Sequence, residues 1–167
     1  MLDTNVWISI NGFDPRSRTP ACYSDYLKSA IDQDNEIIIN DYIMAEFFNR
    51  CCRIEYMLHE NNYRQKKQKI AHLKEFRKQE EFRDFMETMR DTCLHMIEDY
   101  TYEAVNGQLN IEALVHELSE GHLDFGDLVI REHCIANDYA VVTHDFDFFG
   151  CQLDIVTANN KLLRANN

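Results

Sequence analysis

Asp124-Phe125-Gly126-Asp127-Leu128-Val129-Ile130, followed by Val141-Val142-Thr143-His144-Asp145-Phe146-Asp147-Phe148, decides how the rest of the chain is read. Asp124 and Asp127 stand three apart where an apolar-periodic segment begins, so in a helix they share a face. Asp145 and Asp147 stand two apart after an apolar run and share one face of a strand's end. Carboxylates brought together raise one another's pKa, and a cluster of them is held most simply by cations. The pattern predicts a divalent-metal site.

Composition sets the frame around that site. A chain of 167 residues with 45% hydrophobic content, 5 Gly and 2 Pro describes one helix-rich domain spanning 1–167. Its apolar runs fall far short of the ~18 residues that cross a bilayer, and no charged-then-apolar leader opens it, so a soluble cytoplasmic protein without membrane contact is expected. Six cysteines at 22, 51, 52, 93, 134 and 151 form no CxxC pair and read as free thiols in a reducing compartment. His116-Glu117 and His59-Glu60 lack the second His of a zinc-protease motif. The net charge of −12 excludes a broad basic nucleic-acid surface, although nucleic acid remains open as a substrate. Seven of the 17 Lys and Arg lie between Arg64 and Lys78, where Glu75 is the one acid.

Along the chain, Leu2-Asp3-Thr4-Asn5 reads as a strand end turning into a loop or helix. The strand starts abruptly, and a few residues are expected upstream of it. Tyr23 to about Asp32 follows helical spacing. Glu36 to Asn40 is a short buried strand, and Asp41 is the expected N-cap of the next helix. Glu46 is a lone acid inside Tyr42-Ile43-Met44-Ala45-Glu46-Phe47-Phe48, which makes it a ligand candidate; pairing with Arg50 at i+4 is the alternative. Asn62 to Tyr100 has neither Gly nor Pro and reads as wholly helical, with Phe82, Phe85, Met86, Met89, Cys93, Met96, Ile97 and Tyr100 on one stripe. A helical hairpin within a connector of about residues 55–100 is expected, its basic segment (Arg64, Lys66, Lys67, Lys69) being either a solvated face or an RNA-contacting arm. A short strand at 102–105, a helix capped by Asn110 and stopped by Gly121, a helix from Phe125 to about Asp138, strands at 140–143 and 154–157, and a short helix at 161–164 complete the reading. Strands alternating with helices predict a three-layer α/β/α fold around a parallel sheet of four to five strands, with its site outside the strands' carboxyl ends.

These pieces, in this order, resemble the PIN domain, a nuclease family: Leu2-Asp3-Thr4-Asn5, Glu46 after the second strand, Asp124 to Ile130, and Val142 to Phe148. The resemblance covers roughly residues 1–60 and 101–160. It implies Mg²⁺ or Mn²⁺ held by Asp3, Glu46, Asp127 and Asp145 as the catalytic acids, with Asp124 and Asp147 as further site acids; which member of each pair ligates directly stays open. Asn5 and Thr143 match polar positions that place the acids or the phosphate. Many PIN proteins cleave RNA, and small bacterial ones are often toxins of toxin-antitoxin pairs acting as homodimers, so the implied partners are an RNA substrate, an antitoxin and a second copy of the chain. The long connector and the short first strand depart from the compact toxin pattern.

Hard oxygen ligands suit Mg²⁺ or Mn²⁺, and a bound divalent ion makes water a competent nucleophile on phosphorus near neutral pH. No Ser, Cys or His nucleophile is needed, and attack by water leaves a 5′-phosphate and a 3′-hydroxyl. Two other classes share parts of this pattern. A Mg²⁺-dependent phosphatase or receiver domain also uses strand-end acids, but the dehalogenase-type phosphatase needs Asp where Asn5 stands. A non-catalytic RNA- or protein-binding scaffold would have to keep four carboxylates without a metal, at a cost.

Overall fold

The computed structural model describes residues 1–66, 71–105, 109–118, 121 and 123–165. Leu2 makes a parallel bridge to Val142: the Asp3 amide donates to the Val142 carbonyl (2.9 Å) and the Val142 amide to that of Met1 (2.8 Å). The chain then turns at once into α1 (Thr4–Ile10), whose Val6 and Trp7 amides donate back to the Asp3 carbonyl. Asp3 occupies the N-cap in an extended conformation, yet its side chain caps nothing. That carboxylate is therefore available to the site.

After α2 (Cys22–Asp32), the run Ile37-Ile38-Ile39 is wholly buried and carries β1 (Ile38–Asn40). β1 pairs in parallel with β2 (Thr101–Glu103), Ile38 opposite Thr101. Between them lie α3 (Asp41–Gln65), α4 (Leu73–Phe76) and α5 (Glu80–Asp99). α6 (Ile111–Leu118) and α7 (Phe125–Asn137) lead to β3 (Val141–Val142), a 3-10 turn (Phe146–Phe148), β4 (Ile155–Val156) parallel to β3, and α8 (Asn160–Ala165). The main core joins strand residues Leu2, Ile39 and Val141 to Val6 and Trp7 of α1, Ile43 and Phe47 of α3, and Ile130 and Cys134 of α7.

The α/β class and the parallel pairing match the expectation from sequence; three details differ. In place of one sheet of four to five strands, the described residues carry two separate parallel pairs and the Leu2 bridge. The apolar runs are two or three residues long, which limits each ladder to that length. The N-cap of α3 is Asn40 rather than Asp41: Asn40 Oδ1 accepts from the Ile43 amide (2.9 Å), while Asp41 Oδ1 takes the Val105 amide (2.8 Å) and ties α3 to the end of β2. The segment from Asn62 to Tyr100 is not one helix, because His72 and Gln79 adopt extended backbone (ψ 153 and 155) and let the chain reverse. α5 then packs on α3 as a hairpin, with Phe76 fully buried against Cys52 and Phe82 in a small core of its own. On α5, Phe82, Met89 and Met96 are buried, whereas Ile97 is half exposed.

The thiols are all free. Burial pushes Cys51 up to about 12 and Cys134 up to about 11, so both are unreactive packing residues.

Candidate active site

Asp3 is buried at 2% exposure, and its Oδ2 is gripped from two sides. Thr143 Oγ1 donates to it (2.6 Å), and so does Asn5 Nδ2. Thr143 Oγ1 in turn accepts from the Asp145 amide (3.0 Å), and Asn5 Oδ1 accepts from the His144 amide (3.2 Å). Asn5 and Thr143 thus fasten the first turn of α1 to the end of β3 and fix Asp3 between them. Burial, with Glu46 and Asp145 nearby, raises the Asp3 carboxyl to about 6 against the opposing effect of the Thr143 hydrogen bond.

Glu46 reaches the same place from α3. Its Oε2 accepts from Thr4 Oγ1 (2.9 Å) and its Oε1 from Arg50 (3.1 Å), so the ion pair one turn along and the approach to the acids coexist. Gly126 makes room on the other side. A Cβ at Gly126 would sit 3.2 Å from Asp124 Oδ1, so a side chain there would crowd that acid, and 3.9 Å from Glu46 Oε2, in ordinary contact.

Asp124 is the N-cap of α7, its Oδ1 accepting from the Asp127 amide (3.0 Å). Asp145 caps the 3-10 turn in the same manner, taking the Asp147 amide (3.1 Å). Asp127 differs from both. Among the described residues nothing donates a hydrogen bond to its carboxylate, and burial followed by Asp124, Asp3, Asp145 and Glu46 raises it to about 8. Five acids from four parts of the chain therefore act on one another. Among the described residues no three His, Cys, Asp or Glu side chains form a ready-made metal cage, and repulsion between uncompensated carboxylates favours such a loose arrangement.

Asp147 is not drawn into this group. The 3-10 turn carries it outward, exposed, into a cleft with Arg131. Arg64 and Lys66 are exposed at the far end of α3. Eighteen residues of helix place Arg64 about 27 Å along the axis from Glu46. Lys67 and Lys69 lie outside the described residues.

One positioning residue escapes the sequence reading. Tyr23 is buried on α2, and its hydroxyl meets the Thr143 carbonyl (3.0 Å), His144 Nδ1 (2.9 Å) and the Ala158 amide (2.9 Å). A tyrosine on the inward stripe of a helix must satisfy its hydroxyl, and that was the available signal.

The raised carboxyls have a consequence for pH. A carboxyl with a higher pKa folded than unfolded favours the fold fully below the unfolded value and progressively less as pH rises through the folded one. The metal-free protein should lose stability up to about pH 6 through Asp3 and up to about pH 8 through Asp127. Burial lowers His144, which acts in the opposite sense below its ordinary value, so the range above about pH 7 isolates Asp127 best. The Met1 amine and the buried thiols also titrate there. The informative quantity is therefore the difference in melting temperature against pH between the wild type and Asp127→Asn: the wild type should fall more steeply between pH 7 and 9, and parallel curves would refute the assignment.

A family model of the PIN domain matches residues 1–150, and the chain belongs to that family. PIN domains are generally nucleases. Among solved structures the chain is similar to one in the crystal structure of VapBC2 from Rickettsia felis bound to a DNA fragment from their promoter, with a TM-score of 0.56 and 17% identity over 94% of this chain and 96% of that one. At that identity the likeness speaks for the fold. No curated protein matches the chain.

Proposed function

We propose that the protein is a divalent-metal-dependent ribonuclease and the toxin of a toxin-antitoxin pair. The observation that carries the metal reading is Asp127, a half-buried carboxylate without a hydrogen-bond donor among the described residues, facing four other acids. A proton or a cation must compensate it, and the donors present are hard carboxylate oxygens of the kind that hold Mg²⁺ or Mn²⁺.

Asp3, Glu46, Asp127 and Asp145 would hold the ion, with Asp124 completing the acidic wall. Asp147, which faces the Arg131 cleft, is the weakest of the ligand candidates. The bound ion supplies charge stabilisation at phosphorus and an activated water. Asn5 and Thr143 hold Asp3 in one orientation and Thr4 and Arg50 hold Glu46, so the pocket is preorganised on that side, while Asp127 has no such hydrogen-bond donor among the described residues. An antitoxin partner and a homodimer follow the VapBC likeness and the family, and RNA as substrate follows the family. Among the described residues no helix is long and apolar enough to cross a membrane, and a cytoplasmic site of action is part of the proposal.

The test is cleavage of single-stranded and hairpin RNA with Mg²⁺ or Mn²⁺, with EDTA and Asp3→Asn as controls. Cleavage is expected only with the ion and the intact acid; activity surviving EDTA would overturn the metal reading. Expression of the chain alone should arrest growth, and a silent phenotype from a protein active in vitro would remove the toxin role.

A further inference from the structure

Two phenylalanines next to the acids are out of place in a core. Phe146 opens the 3-10 turn that follows Asp145 and Phe149 closes it, and they remain 40% and 46% exposed. Their rings lie 5.4 Å apart and within 12° of parallel. Phe148, between them in sequence, is fully buried and anchors the turn. The pair is thus a rigid flat step, held up by its neighbour and open to solvent.

Phe149 also forms one wall of a cleft of about 420 Å³, with apolar Leu123 and Ile135 beside it. Asp147 lines the same cleft and donates its amide to Asp145 Oδ1 (3.1 Å), which sets the cleft beside the acid site. Its rim is anionic. Glu117 and Glu132 both engage Arg131, with Arg131 Nη2 2.7 Å from Glu132 Oε1, and Asp147 completes that side. Arg131 occupies both Glu117 oxygens and Glu132 Oε1, while the exposed Asp147 carboxylate on the same rim can accept from the amino edge of a base. Flat exposed aromatic faces are what single-stranded nucleic acids stack on.

We infer that Phe146 and Phe149 form a nucleobase-stacking subsite, which seats an unpaired base bearing an exocyclic amino group beside the phosphate placed at the acids. The inference rests on the nuclease reading of those acids and deepens it: the substrate is single-stranded at this position, and the base is held by ring contact and the Asp147 carboxylate while its phosphate points toward Asp127. Sequence preference for adenine or cytosine over uracil follows, because uracil has no amino group to donate.

The experiment measures binding of short single-stranded oligonucleotides in Ca²⁺, a non-catalytic stand-in ion, by wild type, Phe149→Ala, Phe146→Ala and Phe149→Trp. Stacking on an aromatic ring implies a loss of about tenfold in affinity for each alanine variant. Phe149→Trp should retain affinity and show its fluorescence quenched by the oligonucleotide, which a merely structural role would not produce. An abasic nucleotide at the seated position should weaken wild type about tenfold and Phe149→Ala no further. Equal affinity for oligoadenylate and oligouridylate would overturn the amino-edge contact, and unchanged affinity in both alanine variants would overturn the subsite. Loss of thermal stability in the alanine variants would mark the pair as packing and overturn it too. If wild type binds and cleaves RNA while these variants behave like it, this inference alone fails. If wild type neither binds nor cleaves, the nuclease reading fails first.

Discussion

Asp127→Asn should lower metal-dependent cleavage at least ~100-fold without lowering the melting temperature of the metal-free protein. Residues that only support a metal ligand typically cost 10–100-fold when removed, so a direct ligand should cost at least the upper end. Asn preserves the shape of the side chain and cannot ionise, so it matches the protonated Asp127 of the metal-free protein near neutral pH and spares the site the repulsion that an ionised Asp127 adds above about pH 8. The stabilisation that Mn²⁺ gives the wild type, about 2.7 kcal/mol at a hundredfold excess over Kd, should shrink sharply in the variant. A fall in metal-free stability would instead identify Asp127 as structural. Asp124→Asn gives the matching control: asparagine is as good an N-cap as aspartate, so α7 should keep its start while the site loses a charge.

The second large effect lies far from the acids. Phe76→Ala should weaken the α3–α5 hairpin by about 3–5 kcal/mol, the range for emptying a buried aromatic position. Phe76 has no exposed surface, and its ring lies 4.0 Å from His59 and 5.2 Å from Phe82 between centroids. The Tyr56 hydroxyl also reaches the Ala71 carbonyl (3.0 Å), so the segment before α4 is fastened to α3 as well. Because this small core is distinct from the main one, the loss should be partly local. Trypsin should cut faster after Lys74, Arg77 and Lys78, while the main unfolding transition falls by less than the full amount. Unchanged cutting and unchanged melting together would show that the hairpin needs no such anchor.

The acids were legible in the sequence because each follows an apolar run or opens a periodic one, and chain order alone gives their neighbourhood. The shared strand face read for Asp145 and Asp147 fails for a physical reason: alternation by two holds only while the strand continues, and β3 ends at Val142 with a 3-10 turn beginning right after Asp145. The breaks at His72 and Gln79 carry no Gly or Pro, and what stabilises them is the burial of Phe76, a tertiary contact with no local signal. Glu46 shows a third kind of limit. Pairing with Arg50 and a place at the site look exclusive in the sequence, yet a carboxylate has two oxygens: Oε1 takes Arg50 while Oε2 takes the Thr4 hydroxyl next to Asp3.

The fastening of Asp3 by Thr143 has a consequence for the order of events at the ribosome. The two residues are 140 positions apart, so the first acid of the site is made long before the side chain that fixes it. At roughly 5–20 residues per second, synthesis separates them by about 7–28 seconds. During that interval Leu2 has no Val142 to bridge, and Asp127 and Asp145 do not yet exist. The acid site can therefore close only when nearly all of the chain described here has been made, and on the ribonuclease reading proposed above a nascent chain would spare the message being read.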